Sequence, residues 1–350
     1  MNIVILGGGI SGLLAGWVLR EHRPLIIEAG PNVGGNYLAG GLKYIRATPA
    51  FRQLLGELAL YYDSYQPQGA ILADAAWGIG GWTHPHPTWL RSLSTIQREH
   101  IQRLHWMKTR GSSEGFRTDC MNDPLGEGDA MALAVNHGEL IKALAFYCRL
   151  LLKRRVVAIE PDHILFESTD GDWTDALWRS GIRSPALPYD LLITTLPLGL
   201  TARLAKWTGL PDVKPNPLTI VNVQADGTLP WWRVAGEHHW NYLYTPFMKK
   251  VSRLSAGSLA GRFQAEAPGE VSIAEVAADL KHVFGGLDGL FSPSSFGERR
   301  VIPGHLRPLD RPLLWPGNWL SLGRFAEWNP RATAEKVLDR VIEWKQERGL

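Results

Sequence analysis

Cysteine is nearly absent from these 350 residues; Cys120 and Cys148 are the whole complement. Two such residues make no disulfide framework and no C-x-x-C pair, and a reducing cytoplasm is the expected compartment. Long apolar runs are missing too. The longest, around 144–152, is interrupted by Arg149 and is far too short to span a bilayer, so no membrane partner is expected. The chain opens directly in a strand-like segment, which predicts no signal peptide. There is no internal repeat and no low-complexity tail. Neither a Gly-x-x-x-x-Gly-Lys-Ser/Thr loop, a His-Glu-x-x-His pair nor a nucleophile elbow occurs, which argues against P-loop, zinc-protease and α/β-hydrolase chemistry. His84 and His86 are each followed by proline and have no nearby partners in sequence, so no metal is expected there. Excess charge is also small, a net +3 with 20% charged residues, ordinary for a globular chain.

What is present begins at the first residues. Asn2-Ile3-Val4-Ile5-Leu6 is a short apolar run of the kind that forms a buried strand. Gly7-Gly8-Gly9-Ile10-Ser11-Gly12 follows and fits G-x-G-x-x-G. A helix begins at once through Leu13, Leu14, Trp17, Val18 and Leu19, and a second strand, Pro24 to Ile27, ends in Glu28. Gly7 permits a tight turn, Gly9 admits close approach of a pyrophosphate, and Gly12 lets helix and strand pack closely. The pyrophosphate would sit on the free N–H groups and positive dipole end of the helix. Glu28, 21 residues after Gly7, stands where an acid accepts hydrogen bonds from a ribose. Strand, glycines, helix, strand and acid in this order predict a dinucleotide-binding α/β fold.

A second glycine pair follows in Gly34-Gly35-Asn36-Tyr37. With it the sequence resembles the flavoprotein group of amine oxidases, protoporphyrinogen oxidase, phytoene desaturases and UDP-galactopyranose mutase. Three later segments carry the same resemblance. Arg155 to Ile159 resembles the strand whose backbone reads the adenine end, with Val157 at its centre. Tyr189 to Pro197 resembles the group's strand ending in Thr-x-Pro and includes Thr195. Leu320 to Phe325 resembles the Gly-Arg motif, here Gly323-Arg324, that returns the chain to the cofactor. The resemblance implies FAD rather than NAD, held by Gly7, Gly9, Ile10, Ser11, Gly12, Glu28, Ala29, Gly34, Gly35, Asn36, Val157, Thr195, Gly323 and Arg324. It also implies a Rossmann-type FAD-binding domain of the glutathione reductase-like class, interleaved with an α+β substrate domain. The expected division is 1–46, 131–200 and 301–350 for the FAD-binding parts and 47–130 and 201–300 for the substrate parts.

Elsewhere the reading is from the residues. Thr48-Pro49 reads as a helix cap, with Phe51, Leu54, Leu55 and Leu58 as the stripe behind it. Gly, Pro and Trp between 66 and 88 predict a rigid loop, either plain punctuation or an active-site wall. Asn136 to Leu140 starts a helix in which His137 is expected to be a cap or a solvated side chain. Turn signals at 161–163 and 170–172 predict a hairpin over 159–176. Strands are expected at 221–223 and 239–245, and helices at 273–284 and 331–344. No second strand–glycine–helix unit exists for a built-in NAD(P)H domain.

The resemblance implies an FAD-dependent oxidoreductase that oxidises a C–N bond of an amine or amino-acid group, with O2 as acceptor. Lys43, Tyr242, Tyr244 and Lys249 are the candidate catalytic residues. A mutase-like, non-redox enzyme on a nucleotide diphosphate sugar is the alternative, but its histidine-bearing strand is missing and Lys43 or Arg46 stands there. From 88 to 118 six basic residues face two acidic ones, beside several of the chain's tryptophans. A solvated helix over 92–110 explains such charge. An anion or nucleic-acid site at Arg91, Arg98, Arg103, Lys108 and Arg110 is the other reading; the resemblance to flavoenzymes of bacterial viruses that decorate thymine implies an amino-acid-modified thymine of viral DNA as the corresponding substrate. If that holds, replacing Arg98, Arg103 and Arg110 together by Ala abolishes the DNA retention seen with wild type in a filter-binding assay; no binding by wild type removes the idea.

Overall fold

The computed structural model describes residues 1–38, 45–65, 68–72, 82–83, 131–169, 185–208, 215–224, 241–244, 250–253, 262–283, 293–305, 315–329 and 332–350. The Ile3–Leu6 strand lies in the middle of a five-stranded sheet ordered Trp319–Ser321, Leu191–Thr194, Ile3–Leu6, Leu25–Ile27, Arg149–Leu151. All four pairings are parallel. The first strand therefore has the second on one side and the fourth on the other. That arrangement is a topological switch point, and in open α/β sheets ligands bind outside the carboxyl ends of the strands there.

Both faces of this sheet are covered, which is why its strands read as unbroken apolar runs. Side chains alternate between the faces. Ile3, Ile5, Ile26, Leu191, Ile193 and Leu320 join one core with residues of the helices Ile10–Val18, Pro49–Glu57, His137–Phe146 and Ala334–Glu347. Val4, Leu6, Ile27, Leu192 and Trp319 join the other, with Ile159, Ile164, Phe166 and Tyr189. This second cover is an antiparallel meander of Arg154–Ile159, His163–Ser168 and Ala186–Pro188, inserted between the third and fourth sheet strands. Tyr189 stitches it to the sheet: its hydroxyl donates to the Glu160 carbonyl at 2.5 Å and accepts from Trp319 Nε1 at 3.1 Å.

Helix boundaries follow their caps. Thr48 Oγ1 accepts from Phe51 N–H at 3.2 Å ahead of Pro49, as the sequence predicts. Ser272 and Glu275 form a reciprocal capping box before Ile273–Val283, with bonds of 2.7 and 3.2 Å. The closing helix starts at Ala334, three residues later than expected, and runs to Glu347. The expected hairpin turns at 160–162, one residue earlier than its 161–163 signal, between strands Arg154–Ile159 and His163–Ser168. Its second turn signal, 170–172, lies outside the described residues.

A seven-stranded sheet is ordered Phe296–His305, Asn216–Gln224, Arg262–Pro268, Lys250–Arg253, Asn241–Tyr244, Gln68–Leu72, Trp82–Thr83. A small sheet of Ile45–Arg46, Ala132–Val135 and Tyr62–Tyr65 completes the described strands. Among the described residues no helix is long and apolar enough to cross a membrane. Ile5 is fully buried at the centre of the parallel sheet. Ile5→Ala should therefore cost about 2–5 kcal/mol and Ile5→Val about 0.5–1.5 kcal/mol in urea unfolding; equal and small losses would contradict this placement.

Candidate dinucleotide site

The glycine turn sits where the first strand ends. Gly7 has φ +101°, and a Cβ there would lie 2.4 Å from Thr195 Oγ1. Thr195 follows the fourth strand and donates its hydroxyl to the Leu6 carbonyl at 2.8 Å, with Gly7 O at 3.3 Å. At Gly12 a Cβ would lie 2.0 Å from the Gly7 carbonyl oxygen. These two glycines are demanded by the protein itself. Gly9 is different: its φ of −70° suits any residue, and a Cβ there would meet no atom within 4 Å. The room beside Gly9 is open, as a ligand's approach requires.

Helical bonding starts with Leu13 N–H on the Gly9 carbonyl, at 3.0 Å. The N–H groups of Ile10, Ser11 and Gly12 lie ahead of that ladder, and the first turn of the helix carries no acidic residue. The result is a positive helix end suited to an anion. The second glycine turn folds directly over the first. Gly34 N–H donates to Gly8 O at 2.8 Å, Gly34 (φ +104°) bridges to Gly9, and a Cβ on Gly35 would approach Gly9 Cα to 3.8 Å. Gly35 and Asn36 are exposed in the short turn Gly35–Tyr37.

Glu28 braces this cradle as well as bordering it. Its Oε2 accepts from Gly8 N–H and its Oε1 from Gly30 N–H, both at 2.7 Å. The sequence reading assigned it to a ribose. A carboxylate has about four acceptor positions, so two backbone bonds leave capacity for a hydroxyl. The Glu28 carbonyl also receives Arg154 N–H at 2.9 Å, which anchors the meander's first strand beside it. Val157 occupies a bulge in that strand: Val156 and Ala158 pair with the consecutive residues Phe166 and Leu165, and Val157 is left out. A bulge leaves one residue's backbone outside the ladder, which is what a backbone reader of a base needs. Ala29 is exposed at the rim.

The fifth strand leads to Gly323, whose φ is +94° and whose Cβ, if present, would lie 2.4 Å from Ser11 Oγ. Arg324 follows and is exposed. Glu327 holds this turn by accepting Gly323 N–H at 2.8 Å while paired with Arg340. Burial pushes the Glu327 carboxyl above the usual range, against the opposing pull of Arg340.

Sequence reasoning missed one group beside this cradle. Tyr37, next after the second glycine turn, has its hydroxyl 2.7 Å from His137 Nδ1, with the rings edge to face. His137 is thus not the cap, a correction, and is only partly exposed. The cap is Asn136, whose Oδ1 accepts from Gly138 and Glu139 N–H at 3.0 and 3.2 Å. Glu335, at the start of the closing helix, is 2% exposed. Thr333 Oγ1 donates to its Oε1 at 2.7 Å, whereas its buried Oε2 has no partner. Burial raises its carboxyl, while Thr333, Arg46 and Lys336 act the other way. Tyr37 is raised by burial and by Glu335. No pattern in the chain marked this acid, which reads as an ordinary charge in a helix's first turn.

The catalytic candidates fare unevenly. Tyr242 and Tyr244 lie on the Asn241–Tyr244 strand, where register puts Tyr242 in one rung with Ser252, Gln264 and Asn222. Glu266 pairs with Ile220 on one side and Lys250 on the other. Gln264 and Glu266 are buried, and Gln264 Nε2 donates to Asn222 Oδ1 at 2.7 Å. Sequence reading did not single these polar residues out, although period-two alternation of Gln264 and Glu266 with Phe263, Ala265 and Ala267 was the available signal. Lys43, Lys249, Arg91, Arg98, Arg103, Lys108, Arg110 and the 66–67, 73–81 and 84–88 stretches of the Gly/Pro/Trp loop lie outside the described residues. Among the described residues no His/Cys/Asp/Glu group could hold a metal.

The NAD(P)-binding Rossmann-like domain family matches residues 5–40, the segment that builds the cradle. No curated protein matches the chain. Among solved structures it is similar to reduced UDP-galactopyranose mutase, at TM-score 0.64 and 15% identity over 99% of this chain and 95% of that one. An oxidoreductase from Methanosarcina mazei matches at TM-score 0.62 and 14% identity, over 99% and 100% of the two chains. A triple mutant of putrescine oxidase, made in a redesign of its cofactor binding, matches at TM-score 0.56 and 13% identity, over 99% and 98%. The shared fold is that of these proteins.

The glycines separate protein packing from ligand access. Gly9→Ala should leave the thermal midpoint nearly unchanged while removing dinucleotide binding, and Gly12→Ala should lower both. Scanning calorimetry and a binding titration read the two; a Gly9→Ala protein that binds as well as wild type would contradict the site.

Proposed function

We propose that this protein is an FAD-dependent oxidoreductase that takes hydride from the carbon beside an amine nitrogen. The observation that carries the cofactor choice is the second glycine turn, seated on the first through Gly34 and Gly9. A dinucleotide lying there meets two backbone turns instead of one. The residues fit FAD: an open position at Gly9, a helix end free of acids, Glu28 within the cradle, and the unpaired backbone of Val157 toward the base. Residues 1–46, 131–200 and 301–350 form the FAD-binding part in this reading, and 47–130 and 201–300 the substrate part.

When bound, FAD supplies a ring that accepts hydride. The chain's own contribution is to bind, orient and desolvate. The closing helix would direct its positive end at the ring, where negative charge develops on reduction. The seven-stranded sheet offers a wall with buried Gln264 and Glu266 in register with Tyr242 and Lys250. A neutral amine is the reactive form, so a pocket that favours the uncharged nitrogen is sufficient. Lys43 and Lys249 are candidates to position water or oxygen, and O2 is the proposed final acceptor.

The likeness to reduced UDP-galactopyranose mutase supports a second reading, non-redox work on a nucleotide diphosphate sugar. One experiment separates them. Anaerobic absorption spectra of the holoprotein should show a flavin bleached by a panel of primary and secondary amines and restored by air. Flavin indifferent to amines but bleached by NAD(P)H would favour the mutase-like reading, and protein that takes up no FAD would end both.

A further inference from the structure

Among the described residues near the cradle, Glu335 is buried with one carboxyl oxygen lacking a hydrogen-bond partner, as is the Ser321 hydroxyl. A buried polar atom without a hydrogen bond costs free energy, and native structures rarely tolerate it. Glu335 is 2% exposed, and its Oε2 is buried with no partner. Its neighbours do not complete it. Thr333 is committed to Oε1 at 2.7 Å, and the Tyr37 hydroxyl is engaged with His137 Nδ1 at 2.7 Å. Arg46 and Lys336 act on the carboxyl through charge, and neither bonds Oε2.

Position narrows what does. Glu335 is the second residue of a 14-residue helix, so it stands at that helix's positive end. It helps to raise the hydroxyl of Tyr37, which lies two residues beyond Gly35, and a Cβ on Gly35 would lie 3.8 Å from Gly9 Cα. The helix follows the Trp319–Ser321 strand and the Gly323 turn on Ser11. Glu28 and the Val157 bulge belong instead to the side of the Leu25–Ile27 strand. In the sheet order the two acids thus belong to opposite sides of the first strand.

We propose that Glu335 is a binding residue of the dinucleotide site, a neutral carboxyl whose Oε1 accepts the Thr333 hydroxyl and whose Oε2–H donates to an acceptor atom on the non-adenylate half of FAD. Burial favours the uncharged acid, and an acid in this state presents one donor and one acceptor, the pair the geometry calls for. The proposal rests on the FAD reading above.

The test is a fluorescence-quenching titration of deflavinated protein with FAD, with ADP as the adenylate-only control. Wild type that binds ADP and not FAD would defeat the cofactor reading, separately from this one. If wild type binds FAD, Glu335→Leu should weaken it about tenfold, the scale of one hydrogen bond in a buried site, with ADP affinity unchanged. Glu335→Gln keeps an N–H donor and should retain near wild-type FAD affinity. Unchanged FAD affinity in the Leu variant overturns the proposal, as does equal weakening of FAD and ADP. Equal losses in Leu and Gln overturn the donor role. Should the Leu variant not fold, infrared difference spectra of FAD binding decide: a protonated-carboxyl C=O band that shifts in wild type and is missing in Glu335→Gln supports the role, and no such band overturns it.

Discussion

Gly12 has no room for a side chain, and much of the site depends on that. Its missing Cβ lets the first helix close onto the Gly7 carbonyl, which a Cβ would approach to 2.0 Å. Gly7 in turn holds a left-handed φ because the Thr195 hydroxyl occupies the space beside it. Strand, turn and helix are thereby locked into one angle, and the fourth strand is tied to the same point. The helix end is aimed by steric necessity, so its N–H groups are in place before any ligand arrives. Preorganised dipoles of this kind need no reorganisation on binding.

Electrostatics and packing cooperate around that angle. The helix's first turn has no acid to compete for its N–H groups, while the carboxylate of Glu28 is held off to one side by two backbone amides. Those bonds give Glu28 a second task, since they fix the loop that faces the ligand. Gly34 repeats the logic from above by donating to Gly8 O. Glu335 is the contrasting acid, buried with one oxygen unpartnered. Glu28 is thus braced on both oxygens and still has acceptor capacity left, whereas Glu335 is bonded on one oxygen only.

The chain reaches this arrangement from distant places. The parallel sheet draws strands from residues 3, 25, 149, 191 and 319 onward, and the closing helix returns to pack beside the first. Interleaving places the C-terminal Gly323 turn against Ser11, so residues more than three hundred positions apart share one cradle. The seven-stranded sheet is assembled likewise, from segments on both sides of the 131–205 region. Its rungs bring Tyr242, Gln264 and Asn222 into line through three separate strands.

By itself the sequence determined the local machinery. Apolar runs buried on two faces declared the strands, Thr48-Pro49 and Asn136 declared helix starts, and the spacing of Gly7, Gly9, Gly12 and Glu28 declared the turn. Each of these is a short-range rule, in which the residues that matter lie within one turn or one βαβ unit. Only the tertiary structure decided what depends on long-range contact. It showed that Gly7 and Gly12 answer to protein atoms while Gly9 answers to none, and that Val157 sits at a bulge. It also joined the partly exposed His137 to the Tyr37 hydroxyl, and isolated one oxygen of Glu335. Nothing near Glu335 in the chain distinguishes it from an exposed helix acid. Burial and the want of a partner are properties of what folds around a residue, and those neighbours come from residues 37, 46 and 333.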